Sequence, residues 1–275
     1  MNKAGKKKSK IITKIIYLFL SLLAVVYLLP LLWVVYVSLK DDKTLFVSPW
    51  ALPERPMIEN YTFAWTAGRL GTATLNSIFV CGITLILCLL IGSMAAFAIG
   101  RMRWKLSGVM MTYFLTGMMI PVHCILIPVF TRFSKMHLTN SQAGLTLSLP
   151  ITIFIMTGFF QSLPNELFES ACIDGCSIYR SFTHIALPLS RTGLFVTGLM
   201  TFVANWNELL LAMVFISEDT KKTLPVSLSK FVGPYNTNYS QMFAAIVIAI
   251  IPTIVVYCIF SNQIVEGLTA GAVKG

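Results

Sequence analysis

Apolar residues in this chain mostly run uninterrupted, without the two-residue alternation of a half-buried strand. Six runs stand out, at 12–38, 73–99, 108–131, 142–163, 193–216 and 242–261. A helix rising about 1.5 Å per residue needs roughly 20 apolar residues to cross a hydrocarbon core about 30 Å thick, and each run is long enough. Inside a bilayer no water satisfies backbone groups, so runs of this length must bond internally as helices. Even the β-branched stretch "IVIAIIPTIVVY" reads as helix on that ground. The pattern predicts an all-α membrane protein with six transmembrane helices.

The polar segments divide the chain further. Residues 1–11 form a basic tail, 12–38 the first span, 39–72 a long Pro-bearing extracellular loop, 73–261 the transmembrane core and 262–275 a C-terminal tail. The first run exceeds the apolar stretch of a secretory signal and no small-residue cleavage site follows it, so it is expected to remain as a span. A second outer segment, 217–241, carries Gly233, Pro234 and several Asn. Both outer segments are open to two readings, a surface for a partner outside the membrane or a solvated connector. No internal repeat is evident, which argues against one chain built of two inverted halves.

Composition agrees with the membrane reading. Charged residues make up 12% of the chain and mean hydropathy is +0.77, too apolar to cover a water-facing surface. The net charge of +10 owes much to Lys3, Lys6, Lys7, Lys8, Lys10 and Lys14, a cluster beside a membrane span rather than a nucleic-acid footprint. An even number of spans puts both termini on one side. The N-terminal cluster and the short turn holding Arg101, Arg103 and Lys105 make that side cytoplasmic.

Chemistry inside the chain is sparse. Of the six cysteines only Cys172 and Cys176 have ligand-like spacing, and His184 offers no suitable further partner, so no metal site is expected. There is no H-E-x-x-H, no G-x-S-x-G and no G-x-x-x-x-G-K-[ST] phosphate loop. No catalytic residues and no cofactor are assigned to this chain. Use of ATP would require an ATPase on another chain.

One segment, 164–192, has too many charges to cross a bilayer and too much pattern to be slack. It reads as two short helices at an angle. Pro164 suits a first helical position, Glu166 and Glu169 lie near the positive start, and Leu163, Leu167, Phe168, Ala171 and Cys172 form an apolar stripe. Gly175 is placed to take the left-handed conformation that ends a helix. Ser177 is the expected N-cap of a second helix with Ile178, Phe182 and Ile185 on one face, and Pro188 is expected to stop it.

In this segment Glu169, Ala171, Gly175, Ile185, Leu187 and Pro188 fall at the spacing E-A-A-x3-G-x9-I-x-L-P. That pattern resembles the EAA loop of membrane subunits in binding-protein-dependent ABC importers. Further stretches are similar to the carbohydrate branch, in particular the smaller permease subunit of maltose-type systems: "NYTFAW" at 60, "NS" at 76, "MIPVHCILIP" at 119, "LPNE" at 163, "DGCS" at 174, "WNE" at 206 and the terminal "GLTAGAVKG". Ser170 stands where that family has one of the two Ala residues of E-A-A, and Cys176 where it has Ala; both replacements are small.

The resemblance implies a type I, MetI-like ABC importer core with a cytoplasmic coupling loop. Glu169, Ser170, Ala171, Asp174, Gly175, Ile185, Leu187 and Pro188 become ATPase-coupling residues, with the first short helix docking into a groove of the ATPase. Implied partners are a second permease subunit in a heterodimer, two cytoplasmic ABC ATPase subunits that bind the ATP and Mg, an extracellular solute-binding protein, the sugar and membrane lipid. The implied function is ATP-driven import of an oligosaccharide or other glycoside by alternating access.

Polar groups inside spans are costly and therefore candidate pathway residues. Asn205, Trp206, Asn207 and Glu208 combine hydrogen-bonding groups with an aromatic face, as sugar contact requires; an interhelical hydrogen-bond network is the other reading. His123 lies between Pro121 and Pro128, in a segment that serves either as a gate or as a static kink. The terminal "TAGAVKG" is small enough to enter a cleft between ATPase subunits, or is a frayed tail. The rival reading of the whole chain is an ion-coupled secondary transporter acting without an ATPase, in which Glu208 and His123 form a proton relay.

Overall fold

The computed structural model describes residues 3–102, 104–140, 149–233 and 238–272, with side chains described from Lys10 to Gln263. In chain order the helices are α1 (Lys3–Ser38), α2 (Asp42–Val47), α3 (Glu59–Trp65), α4 (Leu70–Gly100), α5 (Ser107–Met119), α6 (Val122–Lys135) and α7 (Leu149–Ser162). They continue with α8 (Asn165–Ile173), α9 (Ile178–Leu189), α10 (Arg191–Trp206), α11 (Leu210–Phe215), α12 (Leu224–Leu228) and α13 (Tyr239–Ala272). No strand occurs among the described residues. By length and apolarity α1, α4 and α13 can each cross a membrane, and two bent pairs, α5 with α6 and α9 with α10, qualify as broken spans.

The chain divides into two compact units, one of residues 1–69 with 230–250 and one of residues 70–229 with 251–275. In the first, the expected outer loop is ordered by its own polar groups. The Asn60 side-chain amide donates to the carbonyls of Ser38 and Lys40, both at 2.9 Å, closing the end of α1. Lys40 is buried, its ammonium donating to the carbonyls of Ser48 (2.8 Å) and Pro49 (3.1 Å) and lying over the Tyr36 ring. Asp42 accepts the backbone N–H groups of Tyr239 and Ser240 (3.2 and 2.7 Å), which are orphan donors at the start of α13. Trp33 meets Trp50 and Phe243 ring to ring. Along the most apolar stretch of α1, in contrast, no residue is buried within the chain, and only Val37 and Ser38 at its end are, so this helix needs lipid or another subunit around it.

In the second unit α4 is the central member, packed against α7, α10, α5 and α12. Small residues permit this: a Cβ on Gly92 would lie 2.5 Å from the Thr152 methyl, so α4 and α7 approach closely only because Gly92 lacks one. Most buried residues of α4 are small (Ala73, Ser77, Cys81, Thr84, Cys88, Gly92, Ser93, Ala96), the larger ones being Leu70, Val80 and Phe97.

Three sequence expectations need correction. The run 108–131 is not one straight helix: it breaks at Ile120 and Pro121, both extended, and α5 and α6 meet at 100°. Proline drives the residue before it out of the helical region and lacks the N–H that would continue the ladder. Pro128, which also lies in that run, stays inside α6. The run 193–216 likewise ends at Trp206 and resumes as the short α11. Within 142–163, the described part is α7, and residues 141–148 lie outside the described ones. The last helix extends to Ala272, past the expected end at 261.

Candidate functional site

The segment 164–192 folds as two helices on either side of a turn. Pro164 is the residue before α8 rather than its first member, its ψ of 138° being extended. At the other end, the N–H of Cys176 donates to the carbonyl of Ala171 (2.8 Å) and the N–H of Gly175 to that of Cys172 (3.1 Å). This pairing satisfies two orphan carbonyls and needs a left-handed residue, which Gly175 supplies at φ +73°. Asp174 sits just before it as the C-cap. Nothing lies within 4 Å of a Cβ built on Gly175, so the requirement is conformational and not steric. Ser177 caps the second helix as expected, its hydroxyl accepting the Arg180 N–H at 3.3 Å.

Pro188 does not stop that helix. α9 runs to Leu189 through a π turn at Phe182–Ala186. The widened turn accommodates a proline that would otherwise clash with the carbonyl four residues back. The helix then meets α10 at 77°, so the stop falls at Ser190.

The apolar stripe is narrower than the sequence pattern suggested. Leu163, Phe168 and Ala171 face inward, but Leu167 and Cys172 are exposed. At the turn between the helices Ile173 is 87% exposed and Tyr179 69%, with Ile178 close behind. Glu169, Asp174 and Pro188 are also exposed, and Ser170 turns its hydroxyl back to the Glu166 carbonyl at 2.8 Å. Ile185 and Leu187 are half-buried. The two-helix element therefore presents an open apolar tip rimmed by carboxylates.

Two residues of α4 and its immediate end fasten this element, and the sequence pattern did not single out either for that work. Phe97 is buried, and its ring meets Phe160 of α7 edge-on at 5.7 Å, Phe182 of α9 at 5.3 Å and Phe168 of α8 at 6.2 Å. Arg101 donates from Nε to the Phe160 carbonyl (2.6 Å), from Nη1 to the Asn165 side-chain oxygen (2.5 Å) and from Nη2 to the Leu163 carbonyl. Its guanidinium lies 4.7 Å from the centre of the Phe168 ring. A cavity of about 480 Å³ opens beside these groups, with Phe97, Arg101, Phe168, Glu169 and Cys172 in its wall. The only available signal was the charge of "RMRWK", which pointed to topology.

The other candidate cluster lies at the break between α10 and α11. Asn205 and Asn207 each donate to the carbonyl four residues earlier, those of Thr201 (2.7 Å) and Val203 (2.8 Å). Glu208 accepts the Leu211 N–H at 2.8 Å, three residues on, as an N-cap would. Trp206 is only 3% exposed and stacks on Phe202. Asn207 is the exposed member and Glu208 is half-buried. His123 is exposed in the first turn of α6. α6 itself packs on α11, where Phe130 and Phe133 meet Phe215. No group of three or more potential metal ligands occurs among the described residues.

An all-helical chain with broken spans and a two-helix element between them defines a multi-pass membrane protein of the ABC-transporter type. Its backbone matches a bacterial ABC transporter that imports the acidic polysaccharide alginate, with a TM-score of 0.79, 20% identity and coverage of 93% of this chain and 97% of that one. Residues 88–268 match the model of the binding-protein-dependent transport system inner membrane component, and the chain belongs to that family. It is 31% identical to a diacetylchitobiose uptake system permease of Streptomyces coelicolor, over 99% of this chain and 92% of that protein. It is 32% identical to a trehalose/maltose transport system permease of Thermococcus litoralis (92% and 94%) and 33% identical to a sulfoquinovosyl glycerol permease of Agrobacterium fabrum (93% and 92%). The protein is a cell-membrane transport permease, and an ion-coupled secondary transporter acting without an ATPase is not favoured.

Proposed function

We propose that this chain is one permease subunit of an ATP-driven importer for an oligosaccharide or other glycoside. The names of its relatives support the sugar: diacetylchitobiose, trehalose and maltose, and arabinooligosaccharides. Its working partners are a second permease subunit, two cytoplasmic ABC ATPases that bind ATP and Mg, and an extracellular solute-binding protein. Both termini lie in the cytoplasm, and so does the α8–α9 element. The chain itself holds no catalytic residue and no cofactor.

The observation that carries the mechanism is the tip of the α8–α9 element. Large apolar side chains at 60–87% exposure (Ile173, Ile178, Tyr179) beside Glu169 and Asp174 are what an amphipathic helix offers to a groove on another protein. A membrane surface is the poorer occupant, because the carboxylates would meet anionic headgroups. Glu169 pairs with a basic residue of the ATPase, Gly175 fixes the angle of the tip, and Ser170, Ala171, Asp174, Ile185, Leu187 and Pro188 shape the docking element. Closure of the ATPase pair on ATP draws the tips of the two permeases together and turns the cavity outward; hydrolysis returns it inward. Asn205, Trp206, Asn207, Glu208 and His123 are assigned to the translocation pathway, with Asn207 and His123 the exposed members and Glu208 half-buried. A helix break in a membrane needs such groups to line a wet cavity or to satisfy freed backbone.

The test is reconstitution of the complex in vesicles with a panel of glycans and the cognate binding protein. Wild type should import sugar only with ATP, while Gly175→Leu and Glu169→Lys should insert normally yet lose ATPase association or coupled import. Full transport by both variants would refute the docking role.

A further inference from the structure

We propose that Arg101 is a positioning residue that locks the joint between α7 and α8, so that movement of the docking helix is delivered to the spans instead of being absorbed at Leu163 and Pro164. This rests on the transport reading above but concerns a residue outside the docking motif.

The joint is intrinsically weak. α7 ends at Ser162 and α8 begins at Asn165, so two residues link the helices. The last carbonyls of α7 lack the N–H groups a continuing helix would bring; the Ser162 hydroxyl donates to the Phe159 carbonyl (2.7 Å) and the Leu163 N–H to the Phe160 carbonyl (3.2 Å), and Pro164 has no N–H to add. Apart from Ala171, no residue of α8 is fully buried. Left to the chain alone, a helix held on one face by Phe168 and Ala171 would pivot about those two linking residues.

One guanidinium removes that freedom. It takes the carbonyls of Phe160 and Leu163 at the end of α7 and the side chain of Asn165 at the start of α8, while its plane covers Phe168 one turn further on. Arg101 itself is anchored to α4, its N–H donating to the Phe97 carbonyl at 2.9 Å. Three helices therefore converge on one cation. The negative end of the α7 dipole adds to the attraction. A planar fork with five donors can hold three acceptors of different direction at once, which an ammonium on a flexible stem cannot. Phe97, four residues earlier, packs from within the core on Phe160 and Phe168, which Arg101 also touches, and on Phe182 of α9, so the aromatic cluster sets the position and Arg101 sets the angle.

The experiment compares Arg101→Met and Arg101→Lys with wild type in the assembled, reconstituted complex, reading sugar imported per ATP hydrolysed. Loss of several charge-assisted hydrogen bonds should lower that ratio about tenfold or more in Arg101→Met while assembly and ATP hydrolysis persist, with Arg101→Lys between. A wild-type ratio in Arg101→Met overturns the proposal. So does failure of Arg101→Met to assemble combined with a wild-type ratio in Arg101→Lys, which would make the residue merely a folding requirement. If wild type itself shows no ATP-dependent import, the transport reading fails and the joint is read directly in the full-length chain. Spin labels at Ser162→Cys and Ile173→Cys, with the native cysteines replaced, should give a narrow distance distribution in wild type and a broadened one with Arg101→Met; equal widths overturn the lock.

Discussion

The two ends of α4 hold their neighbours by different chemistry. At the Gly100 end an arginine and an aromatic ring grip helices: Arg101 bonds the end of α7 and the start of α8, and Phe97 packs among Phe160, Phe168 and Phe182. At the Leu70 end neutral side chains grip loop backbone. The Asn76 amide donates to the carbonyls of Thr220 and Lys222 (2.8 and 3.0 Å), and the Ser77 hydroxyl accepts the Leu224 N–H at 2.8 Å. Asn140, itself at φ +58°, completes that end by accepting from Ser217 and Glu218 while its own N–H donates to Phe215. A non-repetitive loop has many single backbone groups to satisfy, and an amide or hydroxyl matches them one at a time. A helix has satisfied its own backbone except at its ends, so it is held through side-chain packing and its terminal carbonyls.

This contrast predicts unequal losses. Phe97→Ala empties the centre of the aromatic cluster and should cost about 3–5 kcal/mol, read as a large fall in the unfolding midpoint of the detergent-solubilised protein. A change under 1 kcal/mol would mean that the cluster does not organise the Gly100 end. Gly175→Ala has room for its methyl but not the backbone, so it should cost about 1–2 kcal/mol, and Gly175→Asn should recover part of it. Equal stability of all three would show that the turn does not hold φ +73°.

Asn76→Leu should remove two bonds, each contributing about 1 kcal/mol, and hydrogen exchange should quicken in residues 217–224 but not in α8. Exchange that quickens equally in α8 would break the separation between the two ends. The smallest effect belongs to Glu218, whose carboxyl is held below its ordinary pKa by hydrogen bonds from Lys221 and Thr220. A depressed carboxylate contributes stability above the ordinary carboxylate range and loses it as pH falls through the folded value. Acidification should therefore loosen residues 217–224 slightly, and Glu218→Gln should abolish that pH dependence without touching the Gly100 end.

Much of this protein was legible in its residues. Uniform apolar runs located the long helices α1, α4 and α13 because a bilayer leaves a long apolar backbone no alternative to helix. Gly175 and Ser177 announced a turn and a cap because only their residue types suit those backbone positions, and both took the predicted roles. Pro121 was flagged as a bend, although its size, 100°, was not foreseeable. Pro188 was misjudged, since a proline that stops a regular helix can sit after a widened turn. Trp206 was a candidate either for sugar contact or for an interhelical network, and in the fold it is buried and stacked on Phe202.

The one-dimensional pattern by itself determined class, the long apolar helices and the two-helix element, because those follow from short-range rules: helical period, backbone satisfaction in lipid, and glycine's freedom at positive φ. Tertiary structure alone decided that Arg101 meets residues near 160 and Phe97 meets residues near 168 and 182. Such pairs depend on how distant helices come together, and no local propensity encodes which carbonyl an arginine will reach.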